Sequence, residues 1–294
     1  MPLFMMISGF LTDYDKIDSH SNRTLRKRFL QLILPSLLWI SIIWIVEVLI
    51  GKTHLTFSRS LWYGLWFLKS LFVCTIILII PKLLFRDKWI SLTVSLILCL
   101  ISVFIPHLWF LQLNVMFPCF VVGIFIRNLL TKNIRHTASI TITSSLVFIV
   151  CFMFFDKNIL YPNMYLILSS EWIGQYPAYL LRIMTGISGS IAVIGIFLLL
   201  FQNVNNNIIS RLSKYGKYTL EIYILQSLIL EVILSHYFDI QFQNFGFYTH
   251  LIYFTLSVLI IMCCIGLADL FGLIRLDWTF NFNKFKRSCL KYQS

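Results

Sequence analysis

Long apolar runs separated by short polar, mostly basic connections dominate the chain. A helix that crosses a bilayer needs roughly 20 apolar residues, fewer where its ends snorkel. Eight segments meet that requirement, at about 30–50, 61–80, 89–105, 109–127, 138–155, 180–201, 217–236 and 249–274. A ninth, 1–11 (MPLFMMISGFL), is apolar but covers only about 16 Å at helical rise. The pattern predicts an all-α fold: a polytopic transmembrane helix bundle with eight full spans plus a partial N-terminal one. It forms a single domain over 1–294, with a basic cytoplasmic tail at 276–294.

Composition narrows the class further. Of the 294 residues, 59% are hydrophobic and 12% charged, with a mean hydropathy of +0.83. Soluble domains carry about a quarter charged residues, so an ordinary cytosolic enzyme, a disordered chain and a secreted disulfide scaffold are excluded. The seven cysteines are scattered through apolar runs with no CxxC spacing, which predicts packing residues and no metal site.

The net charge of +12 is explained by topology. Basic residues gather in alternate connections: Lys16, Arg23, Arg26, Lys27 and Arg28 in 12–29; Lys82, Arg86 and Lys88 in 81–88; Arg127, Lys132 and Arg135 in 127–137; Arg211, Lys214 and Lys217 in 202–217; and the tail. The intervening connections hold only Lys52, Arg59, Lys157 and Arg182. The positive-inside rule makes the first set cytoplasmic. The expected setting is a multi-pass protein of the cell (cytoplasmic or inner) membrane, with the lipid bilayer as a partner and no nucleic acid. On this layout residue 1 begins in the outer part of the membrane, where a free ammonium is costly. The expectation is that a further helix precedes it.

Lys69 is the sharpest candidate for chemistry. In a continuous helix from Leu61 it would stand about 12 Å from the outer end, near the midplane, where a charge is expensive and usually functional. Trp62, Trp66 and Lys69, spaced i, i+4 and i+7, would share one face. Such a face suits an anionic or sugar ligand; the plainer reading is an aromatic belt beside a lysine that snorkels or pairs with Glu47 or Glu231. In the span 217–236, Thr219, Tyr223, Gln226 and Ser227 form a polar stripe that lines a cavity or binds neighbouring helices. Glu221 lies one turn beyond Lys217, an ordinary i,i+4 ion-pair spacing. Four cations, Arg23, Arg26, Lys27 and Arg28, precede a span containing Pro35; they would hold the phosphates of an anionic donor or serve only as the topogenic charge. None of the six histidines falls deep inside a span.

Five stretches resemble, in order, the integral-membrane acyltransferase family 3, bacterial O-acetyltransferases of surface sugars. They are Pro2 to Leu11, Lys27 to Pro35, Leu65 to Phe72, Phe117 to Gly123, and Tyr215 to Gln226. The resemblance implies a ten-helix fold of which this chain carries nine, the first being absent. It also implies transfer of an acetyl or other short acyl group from cytoplasmic acyl-CoA, a co-substrate with no bound cofactor, to a glycan hydroxyl. Arg28 and Arg26 are then expected to bind the donor. Lys69 is expected on the acceptor or oxyanion side, and Trp66, Trp62, Tyr223 and Gln226 along the substrate. The chain departs from the family where a second arginine is replaced by Gln31 and a late histidine by Gln226, and the family's catalytic Arg and His belong to the absent helix. Two other readings stand beside this one: a glycan transporter or flippase-like protein, and a degenerate non-catalytic member.

Overall fold

The computed structural model describes residues 1–12, 14, 21–51, 57–85, 87–102, 111–130, 134–154, 172–203, 216, 218–234, 247–274, 276, 279–280 and 282. Among them every regular element is helical. In chain order these are α1 (Pro2–Phe10), α2 (Ser21–Arg28), a π-turn (Phe29–Ile33), α3 (Leu34–Leu49), α4 (Phe57–Tyr63), α5 (Trp66–Leu84), α6 (Lys88–Ser102), α7 (Leu113–Leu130), α8 (Ile134–Met153), α9 (Trp172–Asn203), α10 (Thr219–Gln226), a second π-segment (Ser227–Leu234) and α11 (Phe247–Leu273). Each apolar run read from the sequence overlaps at least one of these helices, and 61–80 overlaps two, α4 and α5. Among the described residues five stretches are long and apolar enough to cross a membrane: Arg23–Leu49, Trp66–Leu84, Ile134–Met153, Leu180–Phe201 and Phe254–Leu273. Shorter apolar helices occupy Trp89–Leu98, Leu113–Arg127 and Thr219–Leu230.

The chain forms two compact units from interleaved segments. The first comprises Met1–Leu25 and Lys69–Asn205. Here α1 packs on α7 and α9, α8 lies along α9, and α6 lies against α7. Glycine makes the closest of these contacts possible. A Cβ on Gly9 would overlap the backbone carbonyl of Phe120, and a Cβ on Gly123 would overlap that of Met6. The α1 and α7 backbones therefore touch directly, as small residues permit in apolar bundles. Met5 and Met6 are fully buried as a result.

In the same unit Lys82 departs from its expected place in a loop. It lies in the last turn of α5, which runs on to Leu84, and is buried. Its ammonium donates to the Tyr14 carbonyl and sits 4.0 Å from the centre of the Tyr14 ring. The Tyr14 hydroxyl in turn bonds Ser91 Oγ at 2.8 Å. A carbonyl and an aromatic face together replace the water that a buried ammonium gives up.

The second unit comprises Arg26–Leu68 and Asn206–Ser294. In it α3 packs on α4 and on the second π-segment, and α10 packs on α11. Trp39 of α3 stacks on Phe280, with centroids 5.0 Å apart, and tilts against Phe271 at 5.7 Å. Thr279 and Phe280 are both buried, although they fall within the stretch 276–294 read as a basic tail. The remainder of that tail lies largely outside the described residues.

Candidate functional site

The path into α3 is set by Pro35. Proline has no N–H, and its ring crowds the carbonyl four residues earlier, here Gln31. The backbone answers by widening to a π-turn over Phe29–Ile33, closed by the Leu34 N–H donating to the Phe29 carbonyl. Such a turn re-aims the residues on either side of it. Arg28 is the last residue before the widened turn and is half-buried, while Arg23, Arg26 and Lys27 are exposed. The four cations thus divide into three at the surface and one, Arg28, drawn into the protein. Gln31, inside the turn, is half-buried.

The shared aromatic face around Lys69 requires correction. Helices α4 and α5 are separate, because Leu65 adopts a left-handed backbone with φ 46°. The Gly64 N–H still bonds the Ser60 carbonyl at 2.8 Å, and a Cβ on Gly64 would crowd that carbonyl and Ile40 Cγ1, so only glycine fits at the turn that Leu65 then makes. Trp62 therefore belongs to α4, is 55% exposed, and does not share a helical face with Trp66 and Lys69. Trp66 and Lys69 remain one turn apart at the start of α5, and both are half-buried. Counted from Trp66, Lys69 lies only about 4.5 Å along its helix.

The stripe on α10 is partly retained. Thr219 is exposed, Tyr223 and Gln226 are half-buried, and Ser227 is buried where the α-helix gives way to the second π-segment. The Tyr223 ring meets Phe67 edge-on with centroids 5.6 Å apart, and Trp66 lies edge-on to Phe67 at 6.2 Å. Phe67 was not among the expected site residues. As an apolar residue in an apolar run it gives no signal of its own, and only the fold pairs it with Tyr223.

Glu221 is buried, Glu47 is half-buried, and the Glu231 side chain and Lys217 lie outside the described residues. The other residue that sequence reading missed is Tyr218. Its hydroxyl, just ahead of α10, donates a 2.6 Å hydrogen bond to Asp269 of α11. Cys74, Cys119 and Cys264 are buried free thiols, as expected of packing residues; Cys151 and Cys263 are free as well.

Chemically, the second unit offers an inward-drawn guanidinium beside a π-turn, and an aromatic wall of Trp66, Phe67 and Tyr223 next to the Gln226 amide. A guanidinium suits a phosphate, and an aromatic wall with an amide suits a sugar or an acyl chain.

Residues 1–269 match the family described as an acyltransferase domain. No curated protein and no solved structure matches the chain. A match over that much of a multi-helix apolar chain shows its family: it belongs to the acyltransferase-domain proteins of integral-membrane acyltransferase family 3.

Proposed function

We propose that this protein is a membrane-bound O-acyltransferase of the cell membrane. It transfers an acyl group, acetyl in the first instance, from cytoplasmic acyl-CoA to a hydroxyl of a surface or exported polysaccharide. The family match over residues 1–269 carries this reading. In the reaction the acceptor oxygen attacks the thioester carbonyl, the new C–O bond replaces C–S, and the hydroxyl proton leaves with the CoA thiol. Charge develops on the carbonyl oxygen, and fixed positive groups lower that barrier.

Arg28 binds the donor phosphates, because a planar guanidinium pairs with phosphate oxygens two at a time. Arg26, exposed on the same helix, extends that cationic mouth. Lys69 acts at the acceptor or oxyanion side. Trp66, Tyr223 and Gln226 contact substrate, with Trp62 at the exposed edge. The basic connections face the cytoplasm, where acyl-CoA is made.

The test is transfer of labelled acetyl from acetyl-CoA in membranes that hold the wild-type protein, Lys69→Met or Arg28→Ala. Label should enter a glycan fraction with the wild type, be lost with Lys69→Met and fall at sub-saturating acetyl-CoA with Arg28→Ala, while the protein still inserts. Label found only on soluble amines, or glycan labelling unchanged in both variants, overturns the reading.

A further inference from the structure

Leu65 is one of two described residues other than glycine that adopt left-handed backbone, with φ 46°. A side chain with a Cβ is strained there, and such strain concentrates where a site is held in shape. The strain falls on Leu65 although Gly64, which would adopt that backbone freely, stands directly before it. Leu65 is 3% exposed, and its carbonyl accepts from the Leu68 N–H at 3.2 Å, which opens the first turn of α5. Phe67 lies within that turn.

Phe67 is itself buried, 7% exposed, and has almost no surface to offer a ligand. Its neighbours do. The Tyr223 ring is half-buried, and Phe67 meets it edge-on, with centroids 5.6 Å apart and planes at 64°. Trp66, also half-buried, lies edge-on to Phe67 at 6.2 Å. Edge-to-face rings favour particular mutual orientations, so the buried ring sets the tilt of the two that are partly open. Gln226, half-buried, stands one turn beyond Tyr223 on α10. All these residues belong to the second unit.

Filling a core asks only for an apolar side chain of about the right volume. A buried ring set edge-on to a half-open tyrosine, two residues after a strained turn, does more: it fixes an angle. We infer that Phe67, placed by the left-handed turn at Leu65, is a positioning residue that holds the Tyr223 ring at the angle at which it meets the glycan acceptor. Phe67 does not touch the substrate. The inference rests on the acyl-transfer reading above, in which Tyr223 contacts substrate while Arg28 holds the donor.

Two measurements on the full chain in lipid nanodiscs test it. The first needs no transfer. Fluorotyrosine in place of Tyr223 is followed by fluorine NMR during titration with neutral trisaccharides of glucose, galactose and N-acetylglucosamine. At least one sugar should move the line when Phe67 is intact. Phe67→Leu should displace the sugar-free line and abolish the response, and Phe67→Tyr, which keeps the ring, should restore both. A line that no sugar moves, or that Phe67→Leu leaves in place, overturns the inference. The second is initial-rate kinetics. Phe67→Leu should raise the acceptor KM about three- to tenfold, the scale of one aromatic pair, and leave the donor KM alone. Tyr223→Leu should do the same, and the double variant should go no further, because one residue acts through the other. Leu65→Ile, whose branched Cβ resists left-handed backbone, should raise the acceptor KM as well. Effects that multiply in the double variant, or both KM values rising together, overturn the inference. Wild-type protein without transfer sinks the acyl-transfer reading, and the fluorine line alone then decides on Phe67. Transfer with an unaltered acceptor KM in Phe67→Leu and Leu65→Ile sinks Phe67 and leaves that reading standing.

Discussion

The Tyr218 hydroxyl donates to the Asp269 carboxylate at 2.6 Å and ties the start of α10 to α11. At this exposed position the bond contributes about 0.5 kcal/mol. Tyr218→Phe should therefore lower the melting temperature slightly. Thermal unfolding in detergent checks it; a Tyr218→Phe variant as stable as the wild type would refute the assignment.

The direct contact between α1 and α7 makes Gly9 and Gly123 intolerant of side chains. Gly123→Val should cost about 3 kcal/mol, because the overlapping atom is Met6 backbone that cannot move aside. Gly216, with nothing near its Cβ position, should accept alanine with little change. Melting temperatures of the two variants, measured side by side, decide the point.

Trp39 is 2% exposed and stacks on Phe280, yet its indole Nε1 is buried with no hydrogen-bond partner among the described residues. Trp39→Ala should destabilise by about 3 to 5 kcal/mol through the cavity it leaves. Trp39→Phe keeps a stacking ring and discards the unpaired N–H, so it should cost well under half as much. Equal losses in the two unfolding curves would show that stacking is not what holds Phe280.

If Arg28 grips donor phosphates with a planar fork, lysine is a poor substitute. Arg28→Ala should raise the KM for acetyl-CoA at least about tenfold, by roughly one charge-assisted hydrogen bond, and Arg28→Lys should recover only part of that. Pro35→Ala, which removes the cause of the π-turn, should also raise the donor KM and leave the acceptor KM alone. Initial-rate kinetics on membranes, with each substrate varied in turn, separates the two.

Orientation is open to a direct check. Reporter fusions after Arg135 and after Arg211 should report cytoplasm, as the alternation of basic connections requires. A readout from the far side at either position would overturn the topology.

Run length and hydropathy determine which stretches of this chain become helices, because an apolar backbone in lipid has to satisfy its own hydrogen bonds and a helix does so within one segment. The same local logic made Pro35 a point of distortion, and the order of motifs was enough to indicate the family. Where helices break, and which residues meet, was decided elsewhere. Nothing in Leu61 to Ser70 announces that Leu65 turns left-handed, and that turn took Trp62 off the face of Lys69. Lys82 reads as a loop charge until Tyr14, 68 residues earlier, folds over it. Phe67 and Phe280 carry no mark in their runs, and each gains its meaning from a residue distant in sequence. Periodicity is a property of neighbours along the chain, whereas pairing depends on how close two backbones come, and only the packed structure sets that distance.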